Sequence, residues 1–266
     1  MLLFKYLILG IIQGFTEPLP ISSSGHIRIF KSIFNSNILN DMNFEIIVNF
    51  GSLIAVLILY KDDIINIIKD FFLYIKTINI KYSINFKYVW LIIIGTIPAA
   101  MFGIFIKDII EKFFTTKLVG LMLIITSLLL FTIKDINGKK NKEDISIKDA
   151  IKIGLFQVIA LLPGISRSGA TVVGAMKANL TRQTALDYSF MLYIPISLAS
   201  FILGINDLIK SPTISTLLIP YTVSMIAAGI VTYYAAKLFI NIMRNGKLIY
   251  FSIYCFIVGI LTFIIF

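Results

Sequence analysis

Charge is scarce in this chain. Asp, Glu, Lys and Arg make up 14% of its 266 residues, against roughly 25% in an ordinary soluble domain. A core of this size would need a polar shell that the sequence cannot supply, which excludes a soluble globular enzyme. Disorder is excluded as well, since 58% of the residues are hydrophobic and disordered chains are poor in such residues. Cysteine is nearly absent. Cys255 stands alone in an apolar run, so no disulfide framework exists and the redox compartment is not informed. A cleavable signal is also missing, because the run from Met1 to Ile12 leads into polar residues and not into a small-residue cleavage site. What remains is a chain of mean hydropathy +0.92, whose solvent is a bilayer.

The net charge of +10 comes from 24 Lys and Arg against 14 Asp and Glu. In a soluble protein it would suggest a nucleic-acid partner. In a membrane protein it reads as cytoplasmic loops that set topology, so no nucleic acid is expected.

A membrane helix needs about 20 mostly apolar residues. Six segments approach that standard: Phe44–Tyr60, Tyr88–Ile106, Leu118–Ile133, Ser189–Ile205, Thr216–Ile240 and Leu248–Phe266. Two more, Leu2–Phe34 and Ala150–Leu180, start apolar, break at Pro, Gly and Ser, and resume. Each half is too short to span. Irregular backbone at membrane depth survives only when buried in protein or lining a wet cavity, so both read as re-entrant helical hairpins whose tips meet. A shift of 144 residues lays Gly10, Gln13, Ile21, Ser22, Ser24 and Gly25 on Gly154, Gln157, Ile165, Ser166, Ser168 and Gly169. We read an internal duplication, with repeat 1 over about 1–134, repeat 2 over about 149–266 and a basic linker over about 135–148, in one membrane domain of residues 1–266. Three spans separate the hairpins, so the second copy enters from the opposite side, as in inverted-topology transporters. The expected fold is therefore all-α and polytopic, with six transmembrane helices and two re-entrant hairpins.

Charge placement agrees with that count. Sixteen basic residues fall on one side, from Lys61, Lys69 and Lys76 through the linker to Lys237, Arg244 and Lys247. The other side receives five: Lys5, Lys107, Lys112, Lys117 and Lys210. The positive-inside rule makes the first side cytoplasmic, and places both termini and the mouth of the first hairpin outside.

Ionisable groups at membrane depth are functional candidates by default. Here they are Gln13 with Glu17, the loop Ser22-Ser23-Ser24-Gly25-His26, Arg28, and Ser166-Arg167-Ser168. Gln13 and Glu17 are four apart and share a helix face. Leu161 stands where Glu17 stands in the other copy, so Glu17 is more than a cap common to both breaks. His26, the only histidine, follows Ser23 by three residues; a Ser within reach of a His is the usual activated hydroxyl. Arg167, beside Ser166, Ser168 and Gly169, suits an oxyanion through its planar fork, although an ion pair with Glu17 is the plainer reading of both residues. One carboxylate suits Mg²⁺ or Ca²⁺ that bridges to substrate phosphates. Carboxylate, hydroxyl, histidine and arginine together are phosphoryl-transfer equipment, and membrane walls make the substrate a lipid phosphate. A secondary transporter or lipid flippase is the rival reading, since inverted repeats are common to carriers, but a carrier has no need of a Ser–His pair. A purely structural subunit leaves Glu17 and Arg167 unexplained.

The motifs Gln13-x-x-x-Glu17 with Pro20-Ile21-Ser22-Ser23-Ser24-Gly25-His26, and Pro163-Gly164-Ile165-Ser166-Arg167-Ser168-Gly169-Ala170-Thr171, resemble those of the undecaprenyl-pyrophosphate phosphatase family, the bacitracin-resistance membrane phosphatases. The likeness covers essentially the whole chain, including Phe44-Glu45. It implies hydrolysis of a C55 isoprenyl diphosphate to the monophosphate in a bacterial plasma membrane, recycling the carrier lipid for peptidoglycan synthesis with a divalent cation. It further implies Ser23 or a neighbouring serine as nucleophile, His26 as its proton partner or rival, Glu17 as metal ligand or acid/base, and Arg167 as phosphate clamp. Ser22, Ser24, Gly25, Ser166, Ser168, Gly169 and Thr171 fall in the substrate-binding loops. Gln13 stands where members often carry Glu; it can offer a metal its carbonyl but cannot take a proton. Partners on this reading are the isoprenyl diphosphate and membrane lipids, with room for a homodimer.

Overall fold

The computed structural model describes residues 2–34, 42–211 and 214–266; within these, the side chains at 42, 104, 106–113 and 207, Lys107 and Lys112 among them, lie outside the description. The described chain is helical: α1 (Leu2–Thr16), α2 (Ser23–Ile33), α3 (Met42–Leu59), α4 (Lys61–Thr77), α5 (Ser83–Phe113), α6 (Thr116–Phe131), α7 (Ile147–Ile159), α8 (Arg167–Lys177), α9 (Arg182–Lys210), α10 (Ile214–Arg244) and α11 (Ile249–Ile265).

Both expected hairpins are present, as α1–α2 and α7–α8, and their second arms α2 and α8 have 11 residues each. The breaks follow from local chemistry. Pro18 and Pro20 cannot continue α1; in the second hairpin α7 ends at Ile159, and Gly164 takes a φ of +101° in the turn between α7 and α8. Each second arm then starts on a serine cap. The Ser22 hydroxyl accepts from the Gly25 N–H at 3.3 Å and the Ser166 hydroxyl from the Gly169 N–H at 3.1 Å, satisfying first-turn donors in the same way.

The long helices α5, α9 and α10 extend past the expected spans at both ends, and Pro98, Pro195 and Pro220 lie inside them. By length and composition, three helices among the described residues could cross a membrane, or four if the bent α3–α4 pair counts as one. The apolar α6 and α11 are shorter, at 16 and 17 residues, or about 24–26 Å of helix. Helix α4 was not anticipated; it occupies a stretch whose lysines read as loop.

The packing crosses between the two halves. Helix α1 lies on α10 and α7 lies on α5. Glycine allows both approaches: a Cβ at Gly10 would sit 2.6 Å from the Ser224 carbonyl oxygen, and one at Gly154 would sit 2.5 Å from that of Gly95. Helices α6 and α11 pair closely, where a Cβ on Gly120 or Gly259 would fall 2.8 Å from the other's carbonyl oxygen. Further along, the hydroxyls of Ser127 and Ser252 meet at 3.2 Å. Each first arm is thus walled by a helix from the opposite half.

The lysine-rich ends gather on one face. Lys152 donates to the Lys177 carbonyl at 2.8 Å, Arg244 to Gln183 at 2.9 Å, and Lys87 to the Glu143 carbonyl at 3.0 Å. The linker is bolted to this face by Lys140, which pairs with Asp149 at 2.8 Å, and by Lys142, which donates to Asn85 at 2.6 Å. Burial pushes the Lys142 ammonium below its ordinary range, against the pull of Asp63 and Asp187.

Candidate active site

The two hairpin tips touch. Ser168 donates to the Leu19 carbonyl at 2.9 Å, and a Cβ on Gly25 would lie 3.1 Å from the Cα of Gly164. Thr126 on α6 steadies the second tip, donating to the Gly164 carbonyl at 2.9 Å while its oxygen accepts from the Ser166 N–H at 3.2 Å. Helices α2 and α8 therefore start side by side, and their positive ends face the carboxylate that follows α1.

That carboxylate is Glu17, 7% exposed. Three donors converge on it: the Arg167 guanidinium on Oε1, and the Ser23 hydroxyl and the Gln13 amide (2.9 Å) on Oε2. Arg167 also donates to the Ser197 hydroxyl at 3.1 Å and lies 4.1 Å from the ring centroid of Tyr193. The Tyr193 hydroxyl in turn donates to Asn49 Oδ1 at 2.9 Å. Arg167 is thus held by an ion pair, a hydrogen bond and a cation–π contact at once. Beside it opens a small cleft lined by Glu17, Pro18, Val56, Arg167, Ser168, Ser189, Phe190 and Tyr193.

Of the residues singled out in the sequence, Gln13, Glu17, Ser23 and Arg167 come together, with Ser168 on the cleft wall. Ser22, Gly25, Ser166 and Gly169 build the tips: Ser22 and Ser166 are caps, and the two glycines let the tips close. Ser22 has a φ of 69°, a left-handed conformation that costs a serine about 1 kcal/mol or more. Ser24 is exposed, its hydroxyl 3.4 Å from that of Ser22. Arg28 is a structural tie, donating to the Phe114 carbonyl at the start of α6.

Two expectations are corrected. Ser23 and His26 are not paired: Ser23 donates to Glu17, while His26 directs Nδ1 to the Ser22 carbonyl and Nε2 to the Tyr254 hydroxyl, both at 2.8 Å. The three-residue spacing at the start of α2 turns the histidine toward α11 and away from the cleft. Thr171 does not face the cleft either. Its hydroxyl bonds back to the Arg167 carbonyl at 2.9 Å and reaches Ser189 on α9, the common fate of a threonine within a helix.

Sequence reasoning missed Tyr193, Ser197, Asn49 and Tyr254. The first two had a readable signal, since Ser189, Tyr193 and Ser197 recur every four residues and form one polar stripe on an apolar helix.

A divalent cation can be tested against this donor set. No group of three or more His, Cys, Asp or Glu able to hold a metal exists among the described residues. One carboxylate, an amide and hydroxyls do not cage an ion alone. They fit one that takes a single carboxylate from protein and its other oxygens from water and phosphate.

The model of the bacitracin resistance protein BacA family matches residues 6–261. The chain is 47% identical over 263 residues to Undecaprenyl-diphosphatase 2 of Bacillus thuringiensis (strain Al Hakam), covering 98% of this chain and 97% of that one. It is 45% identical over 266 residues to Undecaprenyl-diphosphatase 1 of Bacillus licheniformis, covering 99% and 98%. With Undecaprenyl-diphosphatase of Oceanobacillus iheyensis it shares 44% over 262 residues, covering 97% and 95%. With its apolar helices, its two touching hairpin tips and a match along nearly its whole length, this chain is a membrane protein of the BacA bacitracin resistance family.

Proposed function

We propose that the chain hydrolyses undecaprenyl diphosphate to undecaprenyl monophosphate and inorganic phosphate, recycling the lipid carrier of peptidoglycan synthesis and conferring bacitracin resistance. The observation that carries this reading is the convergence of Arg167 and Ser23 on Glu17 beside an open cleft, in a chain similar over nearly its full length to proteins named undecaprenyl-diphosphatase.

In this reading the isoprenyl tail lies among the helices and the diphosphate enters the cleft. The anion competes with Glu17 for Arg167, whose fork turns from carboxylate to phosphate while Tyr193 and Ser197 hold its plane. Ser168 and the first-turn N–H groups of α2 and α8 supply further donors. Ser23 Oγ attacks the terminal phosphorus and its proton passes to Glu17 Oε2, the acceptor it already faces. The bridging P–O bond breaks and undecaprenyl monophosphate departs. Water then cleaves the phosphoserine, frees phosphate and restores the Ser23 hydroxyl. His26 acts from behind, holding the Ser22 carbonyl and with it the strained start of α2. Glu17, with the Gln13 amide oxygen, would hold a Mg²⁺ or Ca²⁺ ion. When bound, such an ion neutralises phosphate charge.

The architecture that best accommodates this site is six spans with two re-entrant hairpins in an inverted repeat. The short α6 and α11 cross as a pair, and the lysine-rich face is cytoplasmic, leaving the termini outside. The crossed packing of α1 on α10 and α7 on α5 supports it. A carrier would share that architecture; the serine donating to the carboxylate favours the hydrolase.

The test uses protein purified in detergent and phosphate release from a short isoprenyl diphosphate, with and without Mg²⁺ or Ca²⁺. Cation-dependent release that is lost in Glu17→Ala and Arg167→Ala is expected. Absence of release from folded protein in every condition overturns the reading. Near-normal turnover by Ser23→Ala would hand the attack to water, with Glu17 still the proton acceptor.

A further inference from the structure

Helix α4 turns 75° away from α3, and its surface divides into distinct faces. One packs inward: Ile67 is buried, Phe71 and Tyr74 stack on Phe86 with centroids 5.2 and 4.4 Å apart, and Asp70 accepts from Asn85 at 2.6 Å. The next carries Ile65, Ile68, Phe72 and Ile75, all more than half exposed. Their spacing of three, four and three residues makes one continuous stripe. Lys69 and Lys76 lie along its margin and Lys61 stands in line with it at its N-terminal end, all three exposed, while helical spacing sets Asp62 and Asn66 on the side beyond Lys69 and Lys76. Past the end of the helix, Ile78 and Ile80 are 78% and 85% exposed, the highest values among the large apolar side chains described. Lys81 follows them.

A stripe of this kind facing water would be an aggregation liability. The placement rests on the proposed architecture: with α3 crossing the bilayer, a 75° turn sets α4 near the membrane plane. There the stripe and the isoleucine turn can sink into the acyl boundary while the lysine stems extend to the headgroups. The margin is basic, and the side on which it lies collects the basic loop residues. We propose that α4 and the turn at 78–81 form an interfacial anchor that recognises anionic lipid headgroups on that leaflet. Lysines at such a surface are attracted to anionic lipid and hold the helix at one depth.

Trp90 is the only tryptophan, so Phe72→Trp in a Trp90→Phe background places a single fluorophore on the stripe. The protein is reconstituted in phosphatidylcholine vesicles containing phosphatidylglycerol and exposed to lipids brominated at different depths and to aqueous iodide. Quenching strongest by bromine near the carbonyl end, with protection from iodide, is expected. Strongest quenching at the chain ends would make α4 part of a broken span, and overturns the proposal. So does free access of iodide, or protection from every quencher, which would mean a protein partner such as a second copy. For headgroup choice, spin-labelled phosphatidylglycerol should quench roughly twofold or more above spin-labelled phosphatidylcholine. The ratio should fall toward one in Lys61→Gln/Lys69→Gln/Lys76→Gln. A ratio of one in the parent overturns the anionic preference.

Discussion

His26 is bonded to Tyr254, 228 positions away in sequence, and not to the serine three residues before it; its Nε2 lies 2.8 Å from the tyrosine hydroxyl and the two rings stack with centroids 5.6 Å apart. With Nδ1 at 2.8 Å from the Ser22 carbonyl, only the tautomer protonated on Nδ1 satisfies both contacts: Nδ1–H donates to Ser22, and Nε2 accepts from Tyr254. As the chain has one histidine, histidine labelled with nitrogen-15 gives one pair of ring signals. They should report that tautomer, and Tyr254→Phe, which keeps the stack but removes the donor, should shift the Nε2 signal most. Turnover should fall by a few fold, about what one neutral hydrogen bond contributes. Signals of the other tautomer in the parent protein would refute this assignment.

Glu17 and Arg167 form one unit, so their removal should not add. Arg167→Ala leaves a buried carboxylate without its cation, and Glu17→Ala leaves the reverse, each costing about 3 kcal/mol or more. Expected losses in turnover are about 10²-fold or greater for each single variant, and little more for the double. The double-mutant cycle on kcat/KM measures the coupling. Additive losses would show that the two act separately.

Tyr193 holds its ring 4.1 Å from the guanidinium of Arg167 and donates to Asn49. Tyr193→Phe retains the aromatic face and should retain most turnover. Tyr193→Leu removes the cation–π contact, worth about 0.5–2 kcal/mol, and should lower kcat/KM by roughly 2- to 30-fold. Equal effects of the two substitutions would shift the weight from the ring to its hydroxyl.

Gly120 and Gly259 bring the backbones of α6 and α11 into contact. Gly120→Ala puts a methyl 2.7 Å from the Phe263 nitrogen and 2.8 Å from the Gly259 oxygen, both backbone atoms that cannot yield locally. A loss of about 1–3 kcal/mol is expected, seen as a lower unfolding temperature in detergent. The same change at Gly103, where the nearest neighbour is a Leu161 methyl at 3.7 Å, should be nearly silent.

Much of this site was legible because polar residues in a greasy chain have few explanations. Pro18, Pro20 and the Ser-x-Ser-Gly runs mark both helix breaks, and Glu17 and Arg167 stand out by cost alone. Three things were not legible. The partner of His26 depends on where α11 falls, which no local spacing encodes. The hydroxyl of Thr171 reads as a ligand donor until the helix beneath it supplies a closer acceptor. Helix α4 hides because Asp62, Asp63, Asn66, Lys69 and Asp70 stand beside and among its isoleucines and lower the local hydropathy, although the three- and four-residue apolar spacing is that of a helix.

The crossed packing has a consequence for synthesis. Helix α1 bears Gln13 and leads into Glu17, yet the wall it rests on is α10, which begins at Ile214. A nascent chain therefore carries its carboxylate unsupported through most of translation, and the arginine that neutralises it arrives only at position 167. A prefix that stops before α10 lacks the wall on which α1 rests, and one that stops before position 167 lacks the arginine as well. The order in which the halves leave the translocon, and not only the interaction of their side chains, decides when this protein can begin to work.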